Sequence, residues 1–229
     1  IATADWLLHG GEVSHYYSRY ALEYPYPMGG YGGMFKAWSS KVARQGIHEP
    51  YNSCGNGSAM RIAPVGWAFE TEREVLAAAE VSASCTHNHP EGIKGAQATA
   101  LCIFLARQGH TASDIRARIE RDFGYDLSMS VEELQRRYSW QGIDGKGDGG
   151  ICQDSVPQAI ICVLQAKDFE DAIRNAISIG GDSDTIGCIA GGIAEALYGI
   201  PESIKERAWK YLDETEGRTV RSFIQKYSI

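Results

Sequence analysis

The 229-residue sequence lacks an excess of basic charge: 22 lysines and arginines face 29 aspartates and glutamates, for a net charge of −7. Nucleic-acid binders carry a basic face, so no nucleic-acid partner is expected. No apolar run approaches membrane-spanning length, and residues 1–8 carry Asp5 and no basic start, so neither a membrane partner nor a signal peptide is expected. The six cysteines (Cys54, Cys85, Cys102, Cys152, Cys162 and Cys188) show no CxxC or paired spacing. Several fall in apolar helical patterns, where Cys packs as a small hydrophobe, which points to a reducing, cytoplasmic compartment. Sustained polar–apolar alternation is also missing, so strands are few or absent. The fold class that remains is all-α, one compact multi-helix domain over residues 1–229 with no internal boundary or repeat.

What the sequence does have is Gly180-Gly181-Asp182-Ser183-Asp184-Thr185, followed by the small-residue run Ile186-Gly187-Cys188-Ile189-Ala190-Gly191-Gly192-Ile193-Ala194. Ile186, Ile189, Ile193 and Leu197 recur at helical spacing and predict a buried helix over 183–198. Each glycine inside it costs about 1 kcal/mol of helix propensity relative to Ala. Close approach of neighbouring helices is the expected compensation. Asp182 reads as the helix cap. One cap needs one side chain, however, and this stretch offers three hard oxygen ligands, a set that suits Mg²⁺, Mn²⁺ or Ca²⁺ rather than zinc. An EF-hand is excluded, because Ile186 stands where an oxygen ligand is needed and no bidentate Glu follows. The late position and Ile186 likewise speak against a haloacid-dehalogenase-type Asp-x-Asp-x-Thr.

Helical patterns are read at 2–9, 12–24, 35–42, 58–68, 70–85, 91–107, 113–122, 131–138, 153–165, 168–178, 201–212 and 215–227. Ser130 with Glu133 has the capping-box spacing, and Thr111 or Ser113 caps the helix after it. Residues 25–34 are too rich in Gly and Pro for a helix. Three further loops carry chemistry. Gly55-Asn56-Gly57-Ser58-Ala59-Met60-Arg61 lets backbone approach an anion, with Arg61 facing either a phosphate or a structural carboxylate. Thr86-His87-Asn88-His89-Pro90 lacks the partners of a zinc site, so His87 reads as a hydrogen-bond donor and His89 as a helix boundary. Residues 145–150 read as a lid or a mobile connection, and Gln153 and Asp154 as caps of the next helix.

Together, the 55–61 loop, the 86–90 loop, Asp154-Ser155-Val156-Pro157, and the 180–185 motif with Tyr198-Gly199-Ile200-Pro201 resemble the ADP-ribosylglycohydrolase family along essentially the whole chain. The resemblance implies an all-α fold with a cleft and two Mg²⁺ ions at its mouth, Mn²⁺ being the alternative. It places Asp182, Asp184 and Thr185 as metal ligands, Asn56, Gly57, Ser58 and Met60 on the diphosphate and ribose side, and His87 near the ribose. The family's Gly-Asp-x-x-Gly and Thr-Asp-Asp-Thr elements have no counterpart within these residues; Ile1 aligns just after them, in mid-helix. Asp5 inherits no ligand role, and no catalytic base is assigned.

The implied reaction is hydrolysis of the glycosidic bond joining ADP-ribose to a protein side chain or a small molecule, through oxocarbenium character. The alternative is an ADP-ribose-binding or structural member without turnover, because half of the metal site lies outside these residues. The acceptor stays open among arginine, serine, a nucleobase and a metabolite; Tyr26, Tyr31, Tyr51 and Trp140 are the rim aromatics that would bear on it.

Overall fold

The computed structural model describes residues 1–27 and 29–229; Met28, inside the predicted 25–34 loop, lies outside the described residues. The architecture follows from one helix that has almost no polar face. The segment Pro90–Arg107 buries twelve of its 18 residues, among them Ala96, Leu101, Ile103 and Leu105. A helix apolar all round has to sit at the centre of its domain. His89 starts it by accepting the Glu91 N–H on Nδ1, and Pro90 needs no partner for a missing N–H. His89 is therefore the boundary residue its position predicted.

Ahead of it in the chain come α1 (Ala2–His9), α2 (Val13–Glu23), α3 (Gly33–Gln45), the short α4 (Gly57–Met60) and α5 (Ala63–Ala68), and α6 (Glu72–Ser84); Pro90–Arg107 is α7. After it follow α8 (Ala112–Phe123), α9 (Val131–Arg137), α10 (Cys152–Leu164), α11 (Phe169–Ser178), α12 (Ser183–Tyr198), α13 (Glu202–Trp209) and α14 (Glu214–Tyr227). Helix α7 packs on α4, α5, α6, α8, α10 and α12. Helices α10, α11 and α12 pack on one another beside it, and α14 closes against α1. Two antiparallel strands of two residues each, Tyr138–Ser139 and Gly142–Ile143, are the only sheet among the described residues.

Capping boxes at Thr71–Glu74, Thr111–Asp114, Ser130–Glu133 and Asp213–Glu216 fix four helix starts. The predicted helix over 58–68 is broken into α4 and α5, and α3 begins two residues earlier than its pattern indicated. In α12, Ile186, Ile189 and Ile193 are fully buried, as their spacing predicted. The expected close approach occurs at Gly192, where a Cβ would stand 2.9 Å from the Ala63 Cβ. Gly187 and Gly191 meet only ordinary contacts at 3.4 Å.

Helix α7 crosses both α5 and α10 closely, at Gly66 and at Gly95. A Cβ on Gly95 would fall 2.5 Å from Cys152 Sγ and 2.7 Å from its Cβ, both in the buried core. Gly95→Ala is expected to destabilise the fold by about 1–3 kcal/mol through overpacking, read as a lowered urea midpoint with unchanged slope. An unchanged midpoint would mean that α7 and α10 are not in this contact.

Candidate active site

The loops that precede α4, α7, α10 and α12 meet at one end of the helix stack. The first is tied to the second by Tyr51 N–H to the Thr86 carbonyl (3.2 Å) and Asn52 N–H to Asn88 Oδ1 (2.7 Å). It is tied to the third by Cys152 N–H to the Cys54 carbonyl (2.9 Å) and Asn56 N–H to the Gly150 carbonyl (3.0 Å). Between them opens a cleft of ≈ 1280 Å³. A smaller hollow of ≈ 300 Å³ between Gly10 and Arg19 lies apart from these loops.

Asn56, Gly57, Met60, His87, Asp182, Asp184 and Thr185 all line the cleft. Asp182 is the N-cap of α12 by position, yet its carboxylate makes no capping bond. It accepts a hydrogen bond from Asn56 Nδ2 at 2.7 Å instead. The capping account of this side chain therefore fails, and the carboxylate is turned into the cleft. Burial pushes the Asp182 carboxyl above its ordinary value and neighbouring Asp184 adds to the rise, while the Asn56 hydrogen bond opposes it. Thr185 is buried; its hydroxyl lies 3.8 Å from Met60 Sδ and close enough to the Asp182 carboxylate to favour its charged form.

Two carboxylates and a weakly engaged hydroxyl are hard oxygen donors, which fits Mg²⁺ or Mn²⁺. Among the described residues no third His, Cys, Asp or Glu joins them in one group. Six-coordinate Mg²⁺ commonly keeps several waters, so such a set could hold part of a shell. Asp5 is turned elsewhere: it pairs with Arg19 and with His9 Nδ1, and accepts from the Tyr20 hydroxyl at 3.1 Å.

Asn56 has a constrained role. Its Nδ2 donates both hydrogens within the fold, one to Asp182 and one to the Gly149 carbonyl at 3.2 Å. Both partners are acceptors, which sets the orientation of the amide. Only Oδ1 is left for a ligand, so the side chain can accept from a hydroxyl and cannot donate to a phosphate.

Ser58 is elsewhere. It is fully buried and donates to the Gly92 carbonyl at 2.7 Å, which fastens α4 to α7 beneath the cleft floor. Arg61 lines the cleft and pairs with no carboxylate among the described residues. Its Nη2 donates to the Ser82 carbonyl (2.8 Å) and Thr86 Oγ1 (2.7 Å), and its guanidinium stacks 4.1 Å from the Tyr17 ring centroid.

Residues 145–150 form no free lid. Gly147 N–H donates to the Gln141 carbonyl (2.7 Å) and Gly149 N–H to the Trp140 carbonyl (2.8 Å). Asp154, read as a cap, instead accepts the Asp148 N–H at 2.9 Å, and Ile151 is the N-cap of α10 without a side-chain bond. The loop is pinned from both sides. The rim aromatics Tyr26, Tyr31, Tyr51 and Trp140 do line the cleft. So do Ser53, Tyr211, Asp213 and Glu216, which no motif marked; the C-terminal segment is brought there by packing on α1 and by the Tyr24 hydroxyl, which donates to Asp213 at 2.6 Å.

His87 is buried and edge-on to Tyr51, with ring centroids 5.5 Å apart. Burial, with Arg61 nearby, lowers its pKa from the ordinary 6.5 to about 3.

This frame can be set beside known proteins. The sequence profile of the family described as ADP-ribosylglycohydrolase matches residues 1–227. The ADP-ribosylhydrolase ARH3 of Homo sapiens is 31% identical over 250 residues, covering 86% of this chain and 68% of its own length. The ADP-ribosylarginine hydrolase Tri1 of Pseudomonas putida is 29% identical over 184 residues, covering 73% of this chain and 46% of its own. A solved structure titled ADP-ribosylglycohydrolase-related protein complex superposes with a TM-score of 0.71, covering 98% of this chain and 78% of that one at 24% identity, and shares the fold. The chain belongs to the ADP-ribosylglycohydrolase family, whose named relatives are glycosidic-bond hydrolases. It spans about two thirds of the human relative and less than half of the Pseudomonas one.

The depressed pKa of His87 has a stability consequence. The unfolded chain takes up a proton below about pH 6.5 that the folded chain refuses until about pH 3. The neutral side chain's contribution is thus complete above pH 6.5 and is lost as the pH falls toward 3. Urea midpoints at pH 7 and at pH 5 are expected to differ less in His87→Gln than in the parent. Equal differences would show that His87 titrates normally in the fold.

Proposed function

We propose that this chain carries the ADP-ribose cleft of a magnesium-dependent hydrolase, which cleaves the glycosidic bond between ADP-ribose and an acceptor. The acceptor is a protein side chain or a small molecule. The observation that carries the reading is that Asp182, Asp184 and Thr185 line one cleft together with Asn56, Gly57, Met60 and His87.

Asp182, Asp184 and Thr185 would hold the metal, two ions being expected. When bound, Mg²⁺ or Mn²⁺ supplies Lewis-acid polarisation and neutralises charge beside the glycosidic bond. The chain's own residues orient the sugar. Asn56 Oδ1 accepts from a ribose hydroxyl, and Gly55 and Gly57 let the backbone approach the diphosphate without a Cβ in the way. Met60 supplies an apolar contact and is half-exposed in the cleft. His87 is neutral and offers a ring N–H rather than a charge. No residue of this chain is assigned as the base that activates water.

A second reading, ADP-ribose binding without turnover, is favoured by one observation. Among the described residues, no third carboxylate or imidazole gathers with Asp182 and Asp184. On partners and location we keep the same frame: ADP-ribosylated protein or a small ADP-ribosyl compound as substrate, no nucleic acid, and a cytoplasmic setting supported by six unpaired cysteines. No described helix is long and apolar enough to cross a membrane.

The test is calorimetric titration of Mg²⁺ and ADP-ribose, followed by turnover assays on ADP-ribosyl-arginine and ADP-ribosyl-serine peptides. Binding that depends on Mg²⁺ and disappears in the Asp182→Ala/Asp184→Ala double variant is the expected result. Asp184→Ala alone is expected to reduce metal-dependent turnover by more than the roughly 10–100-fold that loss of a supporting residue costs, with the helical circular-dichroism spectrum unchanged. Turnover retained in Asp184→Ala would refute the metal role. Binding without turnover on either peptide would favour the second reading.

A further inference from the structure

We propose that Arg61 and Thr86 are positioning residues that lock His87 in one tautomer, with its Nε2–H directed into the cleft. The inference rests on the proposed reading of that cleft for its meaning, and on the free protein for its geometry.

Thr86 is fully buried and has one hydroxyl to share. Arg61 Nη2 donates to Thr86 Oγ1 at 2.7 Å, and the same oxygen lies 2.8 Å from His87 Nδ1. One contact of the hydroxyl is settled, because a guanidinium can only donate. A hydroxyl that accepts from a cation becomes the stronger donor, since hydrogen bonds in a chain polarise one another. Its own hydrogen then goes to Nδ1. The opposite arrangement would set an Nδ1–H dipole against an oxygen already drawn toward the guanidinium. Nδ1 is therefore the acceptor, and the ring proton sits on Nε2.

Nε2 points at the glycine turn. A Cβ on Gly57 would stand 3.2 Å from it, and one on Gly55 would stand 3.5 Å away. Any larger side chain at these positions would occupy the space in front of the N–H. Both glycines and His87 line the cleft, so the donor is open to an occupant. Arg61 is itself held by the Ser82 carbonyl (2.8 Å) and by the Tyr17 ring, so the relay is anchored at its far end to α6 and α2.

The other titratable groups around the relay stay neutral. Burial raises Tyr17 and Cys85, and raises Tyr51 to about 12, which leaves Arg61 as the one charge facing His87. The relay thus turns a charged side chain into a steady neutral donor. Arg61 acts on His87 through the Thr86 hydroxyl, while itself lining the cleft.

The experiment is long-range ¹⁵N correlation spectroscopy of histidine-labelled protein, with the His87 signals assigned by their loss in His87→Gln. The expected spectrum shows Nε2 protonated and Nδ1 as a hydrogen-bond acceptor, unchanged between about pH 5 and 8. Thr86→Val should give a mixed or titrating ring and weaken ADP-ribose binding by roughly fivefold to tenfold, the size of one hydrogen bond. Thr86→Ser, which keeps the hydroxyl, should restore both. An Nδ1-protonated ring in the parent, or a Thr86→Val variant with the parent's tautomer and affinity, would overturn the proposal. If the tautomer responds as stated but neither parent nor Thr86→Ser binds ADP-ribose, the relay stands and the reading of the cleft falls.

Discussion

The site depends on a single amide. Asn56 Nδ2 donates one hydrogen to Asp182 and the other to the Gly149 carbonyl, while Asn56 N–H reaches the Gly150 carbonyl. Three loops far apart in sequence are joined at this residue: the turn into α4, the glycine loop before α10, and the start of α12. A side chain with two donors is needed, because both partners are acceptors and one carries a developing charge. Aspartate in its place would set two carboxylates face to face, and leucine would leave the Gly149 carbonyl and Asp182 without their donor. The pin also decides what Asn56 can offer a ligand, since an amide with both hydrogens engaged can only accept.

Around that pin the glycine loop acts as a wall rather than a lid. Tyr138 packs beneath it: a Cβ on Gly181 would lie 2.5 Å from the Tyr138 ring, and one on Gly149 would lie 3.2 Å from its hydroxyl. Gly181 also has φ +67, a conformation that side chains with a Cβ rarely adopt. Steric contact and backbone conformation therefore require the same residue immediately before Asp182. Polar loops, with few apolar contacts of their own, hold fixed positions here because their backbone groups are paired with one another and the aromatic ring fills the space behind them.

Much of the fold was legible in the sequence because helices advertise themselves locally. Ile186, Ile189 and Ile193 share a face by spacing alone, and Ser130 with Glu133 announces a start. The candidate site was legible to the extent that its polar side chains sit on short motifs: Asn56, His87, Asp182, Asp184 and Thr185 all line the cleft. What could not be read depends on which way a side chain turns once helices cross. Ser58 sits in the same motif as Asn56, but one residue past Gly57 the helical turn of α4 carries it down to the Gly92 carbonyl. Arg61 is one further turn along and points at α6. Asp182 has the sequence position of a cap, and only the Asn56 amide across the cleft shows that its carboxylate is committed elsewhere. Glycine content over 145–150 suggested motion, because partners 93 residues apart, such as Asn56 and Gly149, leave no trace in local composition.

Asp182 and His87, both lining the cleft, sit in opposite electrostatic surroundings. At the start of α12, Asp182 is half-buried beside Asp184 and its carboxyl is held above the ordinary range by burial first and by its acidic neighbour second. Burial and a like-charged neighbour thus act together against the ionised form of Asp182. Around His87, burial and the Arg61 guanidinium act in the same direction and keep the ring uncharged. A neutral N–H can orient an oxygen atom without adding a charge beside Arg61. The carboxylate side therefore opposes its own charge, whereas the histidine side presents a neutral ring whose direction is set by geometry.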